Sequence, residues 1–151
     1  MKTFQTLSEL AACTGQEVAV SDWITITQQQ VKLFAEATGD HQWIHVDPEK
    51  ARAGPFGGPI AHGFLTLSLL PRFFESSFEI TGSRMGVNYG LNKVRFTAPV
   101  PVGSRLRARM KLLSAEPMEP GGMQMIWEVT VECEGQAKPV CIAESIVQRY
   151  A

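Results

Sequence analysis

Asp40 and His45 are the two side chains whose types and spacing fit acid–base chemistry on one small molecule. An ionised carboxylate only accepts hydrogen bonds. A neutral imidazole offers one acceptor and one donor, so the pair can hold a single water between them. With an unperturbed pKa near ~6.5 the imidazole can take a proton and return it. The two residues lie five positions apart on a stretch that reads as a loop, and a turn there brings both tips to one point. Such a pair suits addition of water to an activated double bond, or the reverse, because water needs an acceptor on each proton it sheds. Which of the two makes each transfer is open at the level of sequence.

Addition next to a carbonyl also builds negative charge on the carbonyl oxygen. Gly63 opens an apolar helix just after Pro55-Phe56-Gly57-Gly58-Pro59. A helix start offers free N–H groups and the positive dipole end, and glycine lets a carbonyl approach the backbone closely. Gly63 N–H is therefore the candidate oxyanion donor. Gln42, His62, Phe64 and Asn88 are candidate substrate contacts. His62 has two readings, a structural partner of nearby backbone or a substrate contact. Plainer readings exist for the pair as well: Asp40 can begin a turn and His45 can bond to backbone. Asp40, His41, His45 and Asp47 resemble a metal set only if H-x-x-x-H lies on a helix, and Pro48 with the predicted loop argues against that. No metal and no cofactor is expected. Gly57-Gly58 lacks the Lys-Ser/Thr ending of a phosphate loop.

Ser8 to Cys13 reads as a short helix stopped by Gly15, and Glu17 to Ile26 as a strand. Thr27, with Gln30 three residues on, has the form of a capping box. Val31, Phe34, Ala35 and Thr38 make one helical stripe, and Gly39 stops it. Asp40 to Val46 is predicted as a loop. Asp47-Pro48 starts a short helix that Gly54 stops. Ile60 to Phe74 is apolar nearly all round and predicts a buried helix that Pro71 kinks or divides. Val87, Tyr89 and Leu91 alternate out of phase with Val94 and Phe96, which places a bulge near Asn92 and Lys93. Leu106, Ala108, Met110 and Leu112 face one way and Arg105, Arg107, Arg109 and Lys111 the other. Glu116 to Gly122 reads as a connection. Trp127, Val129, Val131 and Cys133 alternate against Glu128, Thr130, Glu132 and Glu134, and Val140 to Tyr150 is a last strand. The order predicts α+β: one long central helix wrapped by a curved antiparallel sheet of about five strands, the hot-dog arrangement, as one domain over 1–151.

Composition narrows the classes. The chain has 151 residues, 44% hydrophobic and 19% charged, with a formal net charge of -1, which argues against disorder and against nucleic-acid binding. No separate DNA-binding element is visible. The basic strip Arg105, Arg107, Arg109, Lys111 is either a solvated face or an attraction site for phosphates or an acidic carrier protein. Cys13, Cys133 and Cys141 read as reduced thiols of a cytoplasmic protein. No apolar run predicts a membrane span, and no secretory signal is evident.

Two segments carry a resemblance. Ala37-Thr38-Gly39-Asp40-His41-Gln42-Trp43-Ile44-His45-Val46-Asp47-Pro48, followed by Pro59-Ile60-Ala61-His62-Gly63-Phe64-Leu65, resembles the signature of the MaoC-like dehydratases, or hydratase 2. Asn88 to Phe96 with Pro99-Val100-Pro101-Val102-Gly103 resembles the branch related to nodulation protein N. The resemblance implies reversible addition of water to a trans-2-enoyl thioester of CoA or acyl carrier protein, giving the (R)-3-hydroxyacyl thioester, in a homodimer. It implies Asp40 and His45 as the catalytic pair and Gly63 N–H as the oxyanion donor. Gln42-Trp43 stands where the family often has Asn-Pro, and Pro71 falls near a serine that some members use. Two other functions remain in play. A hot-dog thioesterase would release free thiol, and a non-catalytic acyl-thioester binding protein would bind without turnover. Acyl length, carrier and pathway are not legible.

Overall fold

The computed structural model describes residues 1–151. The elements are β1 (Lys2–Phe4), α1 (Leu7–Ala11), β2 (Glu17–Val20), β3 (Ile24–Thr25), α2 (Gln28–Thr38), α3 (Trp43–Val46), α4 (Pro48–Arg52), α5 (Gly63–Ser68), α6 (Leu70–Ser77), β4 (Phe78–Ile80), β5 (Met85–Arg95), β6 (Arg105–Met118), β7 (Gly122–Cys133) and β8 (Cys141–Tyr150). Six strands form an antiparallel sheet in the order β2-β6-β7-β8-β5, with β3 beside β6. β1 and β4 form a separate parallel pair.

The sheet follows from period-two alternation. Leu106, Ala108, Met110 and Leu112 of β6, and Trp127, Val129 and Val131 of β7, point inward and are buried. Their core is completed by Leu65 from α5, Leu69 at the joint, and Leu70, Phe73 and Phe74 from α6. Trp127 stacks on Phe78 and meets Phe74 edge-on. Register shifts in β5, at Asn88/Gly90 and Leu91/Lys93, and in β6, at Leu112/Ser114, bend the sheet around these helices. The second shift in β5 falls at the predicted bulge.

Several boundaries differ from the sequence expectation. The stretch Glu17 to Ile26 is two strands, because the Ser21 hydroxyl takes the Ala108 N–H and the chain leaves the ladder there. The segment 40–46 is not all loop, since α3 occupies its second half. The apolar run starts its helix at Gly63 and divides at Leu69, with Pro71 in the first turn of α6, where its missing N–H costs little. Phe64 in that run is 67% exposed, so α5 is not buried on every side. The β6–β7 connection is only Glu119, Pro120 and Gly121, because both strands extend into the predicted loop. Cys133 and Cys141 are buried, and burial pushes the Cys141 thiol up to about 11.

The helical side is fixed by caps. Thr27 Oγ1 accepts from Gln30 N–H, which supplies one arm of the capping box. Gly39 ends α2 at φ 81°, a left-handed value that favours glycine, and its N–H bonds to Ala35 O. Asp47 caps α4 through Lys50 N–H. No helix is long and apolar enough to cross a membrane.

Candidate active site

Asp40 follows directly on the left-handed turn at Gly39, so the end of α2 sets where its side chain begins. One carboxylate oxygen accepts from Gln42 N–H at 3.3 Å and the residue is exposed. His45 sits on α3 and is buried. Two bonds hold that turn: Gln28 Nε2 donates to His45 O at 2.9 Å, and His45 Nδ1 lies 2.7 Å from Ile60 O. A carbonyl only accepts, so Nδ1 carries the proton and Nε2 keeps its lone pair. Burial lowers the His45 pKa. The Ile60 bond opposes this, His62 adds to it and Asp40 opposes it, with a net value below the ordinary histidine range. The ring is thus neutral near pH 7, with its free nitrogen an acceptor.

His62 lies across from this ring. The two imidazoles stack with centroids 3.9 Å apart and planes 25° apart. His62 Nε2 lies 3.0 Å from Asp40 O and so donates to it. This clamps the Asp40 backbone to the start of α5. Phe34 also packs against His62, with 4.9 Å between centroids and a tilted arrangement. A carboxylate oxygen of Asp40 and one ring nitrogen each of His45 and His62 lie within 4.8 Å of one another. That spacing suits a water shared between two acceptors, since each water bond spans about 2.8 Å. It suits a metal poorly. The rings are near parallel, so their in-plane lone pairs run side by side instead of converging, and one nitrogen of each is already bonded to backbone.

His45 opens onto a groove of about 390 Å³ that Gly63, Thr66, Phe56, Phe96, Val100 and Val140 help to line. The Gly63 N–H has no acceptor within the chain. A side chain there would meet the Phe96 ring at 2.8 Å, so the glycine serves packing as well as access to the backbone.

The remaining sequence candidates fall elsewhere. Gln42 is exposed and contributes through its backbone at the start of α3. Phe64 points outward and meets the edge of Phe96. Asn88 lines a different groove, between α5–α6 and β5, with Leu67, Pro71 and Ser145. Trp43 packs over Gly54 and under Lys50 rather than into the groove. Thr66 and Phe96 were not legible as groove residues. Thr66 hides inside an apolar run, and Phe96 reaches Gly63 from 33 residues away. Three of the four cations of the basic strip are paired: Arg105 with Glu134, Arg107 with Glu132, and Arg109 with both Glu132 and Glu17.

A curved antiparallel sheet wrapped around α5 and α6 defines the hot-dog fold. The chain belongs to the MaoC-like domain family, whose model matches residues 9–134. It is 58% identical over its full length, and the full length of the relative, to 3-hydroxyacyl-thioester dehydratase Z of Mycobacterium tuberculosis. It is 46% identical to nodulation protein N of Rhizobium leguminosarum bv. viciae over 93% of this chain and 88% of that one. Among solved structures, it is similar to an R-hydratase of Pseudomonas aeruginosa, with TM-score 0.69 and 25% identity over 91% of this chain and 81% of that one.

Proposed function

We propose that the chain is an (R)-specific enoyl-thioester hydratase and 3-hydroxyacyl-thioester dehydratase, acting as one MaoC-like domain over 1–151. The relatives' names support the reaction class. The observation that carries the chemistry is the His45 Nδ1 bond to Ile60 O, which leaves Nε2 free on a ring that has one nitrogen within 4.8 Å of an Asp40 carboxylate oxygen. In hydration, a water held by Nε2 and the carboxylate attacks C3 of the trans-2-enoyl thioester. One water proton passes to the pair, and a proton is delivered to C2. As electrons move toward C1, the thioester oxygen takes up negative charge next to Gly63 N–H, a donor worth about 3 kcal/mol by analogy with other oxyanion sites. Dehydration is the reverse. His62 acts through Asp40, whose backbone it holds.

The substrate is an acyl thioester of CoA or acyl carrier protein. The working unit is a homodimer, supported by β5. This 11-residue strand pairs with β8 on one edge only and exposes Val87, Tyr89 and Leu91, a long open edge of the kind soluble proteins cover. Three unpaired cysteines fit a reducing cytoplasm.

The deciding experiment follows the enoyl-thioester absorbance with crotonyl-CoA and longer enoyl-CoAs. The expected result is loss of the band, an (R)-3-hydroxy product and no free thiol. Free thiol would make the protein a thioesterase, and binding without turnover a carrier of acyl thioesters. A monomer mass by light scattering would remove the dimer.

A further inference from the structure

Helical hydroxyls in this protein follow one habit. Thr38 in α2 donates to Phe34 O at 2.7 Å, Ser68 in α5 to Phe64 O at 2.6 Å, and Ser77 in α6 to Phe73 O at 2.6 Å. Ser76 also bonds to Phe73 O. Each turns back on its own helix, the usual way to satisfy a hydroxyl there. Thr66 does not. It is 1% exposed, yet its Oγ1 has no partner. The carbonyl one turn back, His62 O, accepts from the N–H groups of Leu65 and Thr66 but not from this hydroxyl. An unpaired buried hydroxyl is unfavourable by about 1–3 kcal/mol, and such groups call for an explanation. Thr66 lines the same groove as His45 and Gly63.

We infer that the Thr66 hydroxyl is a further substrate-binding group, hydrogen-bonded to the oxygen on C3 of the 3-hydroxyacyl thioester. The inference rests on the hydratase/dehydratase reading and deepens it. Thr66 is one turn beyond Gly63, a rise of about 4.5 Å along the helix. With the thioester oxygen at Gly63 N–H, a group one turn on lies at the distance of a C3 substituent. A hydroxyl can donate to or accept from the C3 oxygen, so it can hold both the product alcohol and the incoming water. The enoyl and saturated acyl thioesters have no C3 oxygen to offer. The contact therefore favours the hydroxyacyl form and adds to the hold that His45 and Asp40 have on the C3 oxygen.

The test compares wild type, Thr66→Val and Thr66→Ser of the full chain. Valine keeps the branched shape and removes the hydroxyl, whereas serine keeps the hydroxyl. Two constants are measured: KM for an (R)-3-hydroxyacyl-CoA, and the inhibition constant of the saturated acyl-CoA of equal length. Thr66→Val is expected to raise the first about tenfold and leave the second within about twofold, with Tm unchanged or higher because a buried unpaired group is gone. Thr66→Ser is expected to behave as wild type. An equal rise in both constants, or none in either, overturns the inference, as does a large fall in Tm for Thr66→Val. Wild type that fails to convert any (R)-3-hydroxyacyl thioester, whether of CoA or of acyl carrier protein, overturns the hydratase reading and this inference with it. Wild-type turnover with a silent Thr66→Val overturns this inference alone.

Discussion

Two regions of the molecule concentrate polar side chains, and they treat them in opposite ways. On the outer face of β6 and β7, Arg105, Arg107, Arg109 and Lys111 stand across from Glu17, Glu128, Glu132 and Glu134, four cations against four carboxylates. Three of the cations are in ion pairs, and Arg107 also lies over the Trp23 ring. Between α2 and α5 the polar groups are held by backbone, which leaves their working atoms unpaired. His45 spends Nδ1 on Ile60 O and keeps Nε2, while His62 spends Nε2 on Asp40 O and leaves Nδ1 buried without a partner. Charge density therefore does not mark the site. Unspent valence does: polar atoms positioned by one bond, with another left open toward a groove.

The sharpest way to break this comparison is to change the open valences. Asp40→Asn keeps an acceptor for Gln42 N–H and is at the surface, so stability should stay within about 0.5 kcal/mol. The rate of crotonyl-CoA hydration should fall about 10²–10⁴-fold. His45→Gln should cost a similar factor in rate and also about 1–3 kcal/mol of stability, because Ile60 O loses its donor. Stopped-flow rates and thermal melts on the same samples separate the two quantities. Near-normal turnover in Asp40→Asn would remove Asp40 from the chemistry and leave only its role in the turn.

How much of this was legible depended on distance along the chain. Asp40 and His45 stood out because one short segment carries both, and Gly39 and Asp47-Pro48 announced the helix end and start around them. The α3 turn was hidden. Four residues carry too little periodicity, and the turn depends on Gln28, 17 residues from His45. The β1–β4 pair was missed for the same reason, since three-residue strands 76 residues apart leave no local pattern. The inner and outer faces of β6 and β7 were plain from alternation. Their ion pairs are not, because pairing needs the register, and the hairpin turn is shorter than the Glu116 to Gly122 connection that the sequence predicts. Phe64 and Asn88 are candidate substrate contacts in the sequence; the structure puts Phe64 on the outer face of α5 against Phe96 and Asn88 in a groove with Leu67, Pro71 and Ser145.

A second, smaller effect sharpens the comparison through pH. Since burial holds the His45 pKa below its ordinary value, the acid limb of kcat/KM should have its midpoint below the ~6.5 of a free imidazole. The unfolded chain binds the proton at about 6.5 and the folded chain only at lower pH, so the His45 contribution to stability is lost as pH falls from there toward the folded value. A midpoint above that of free imidazole would mean that the Asp40 charge outweighs burial, and the ring would then enter the reaction as a cation.

The smallest effect belongs to the paired region. Burial by itself raises the Glu132 carboxyl, but hydrogen bonds and charge from Arg109 and Arg107 outweigh it, and the group ends below the usual carboxylate range. Its stabilisation is therefore present above about pH 4.3 and lost as pH falls through the lower folded value. Glu132→Gln should lower stability by about 1 kcal/mol at neutral pH, with the difference from wild type shrinking in acid. KM for a CoA thioester should stay within about twofold, because the arginines are engaged with carboxylates rather than with phosphate. A KM that falls severalfold on freeing Arg107 and leaving Arg109 with Glu17 alone would show that the ladder restrains a latent phosphate site. The two regions would then differ in degree of pairing and not in kind.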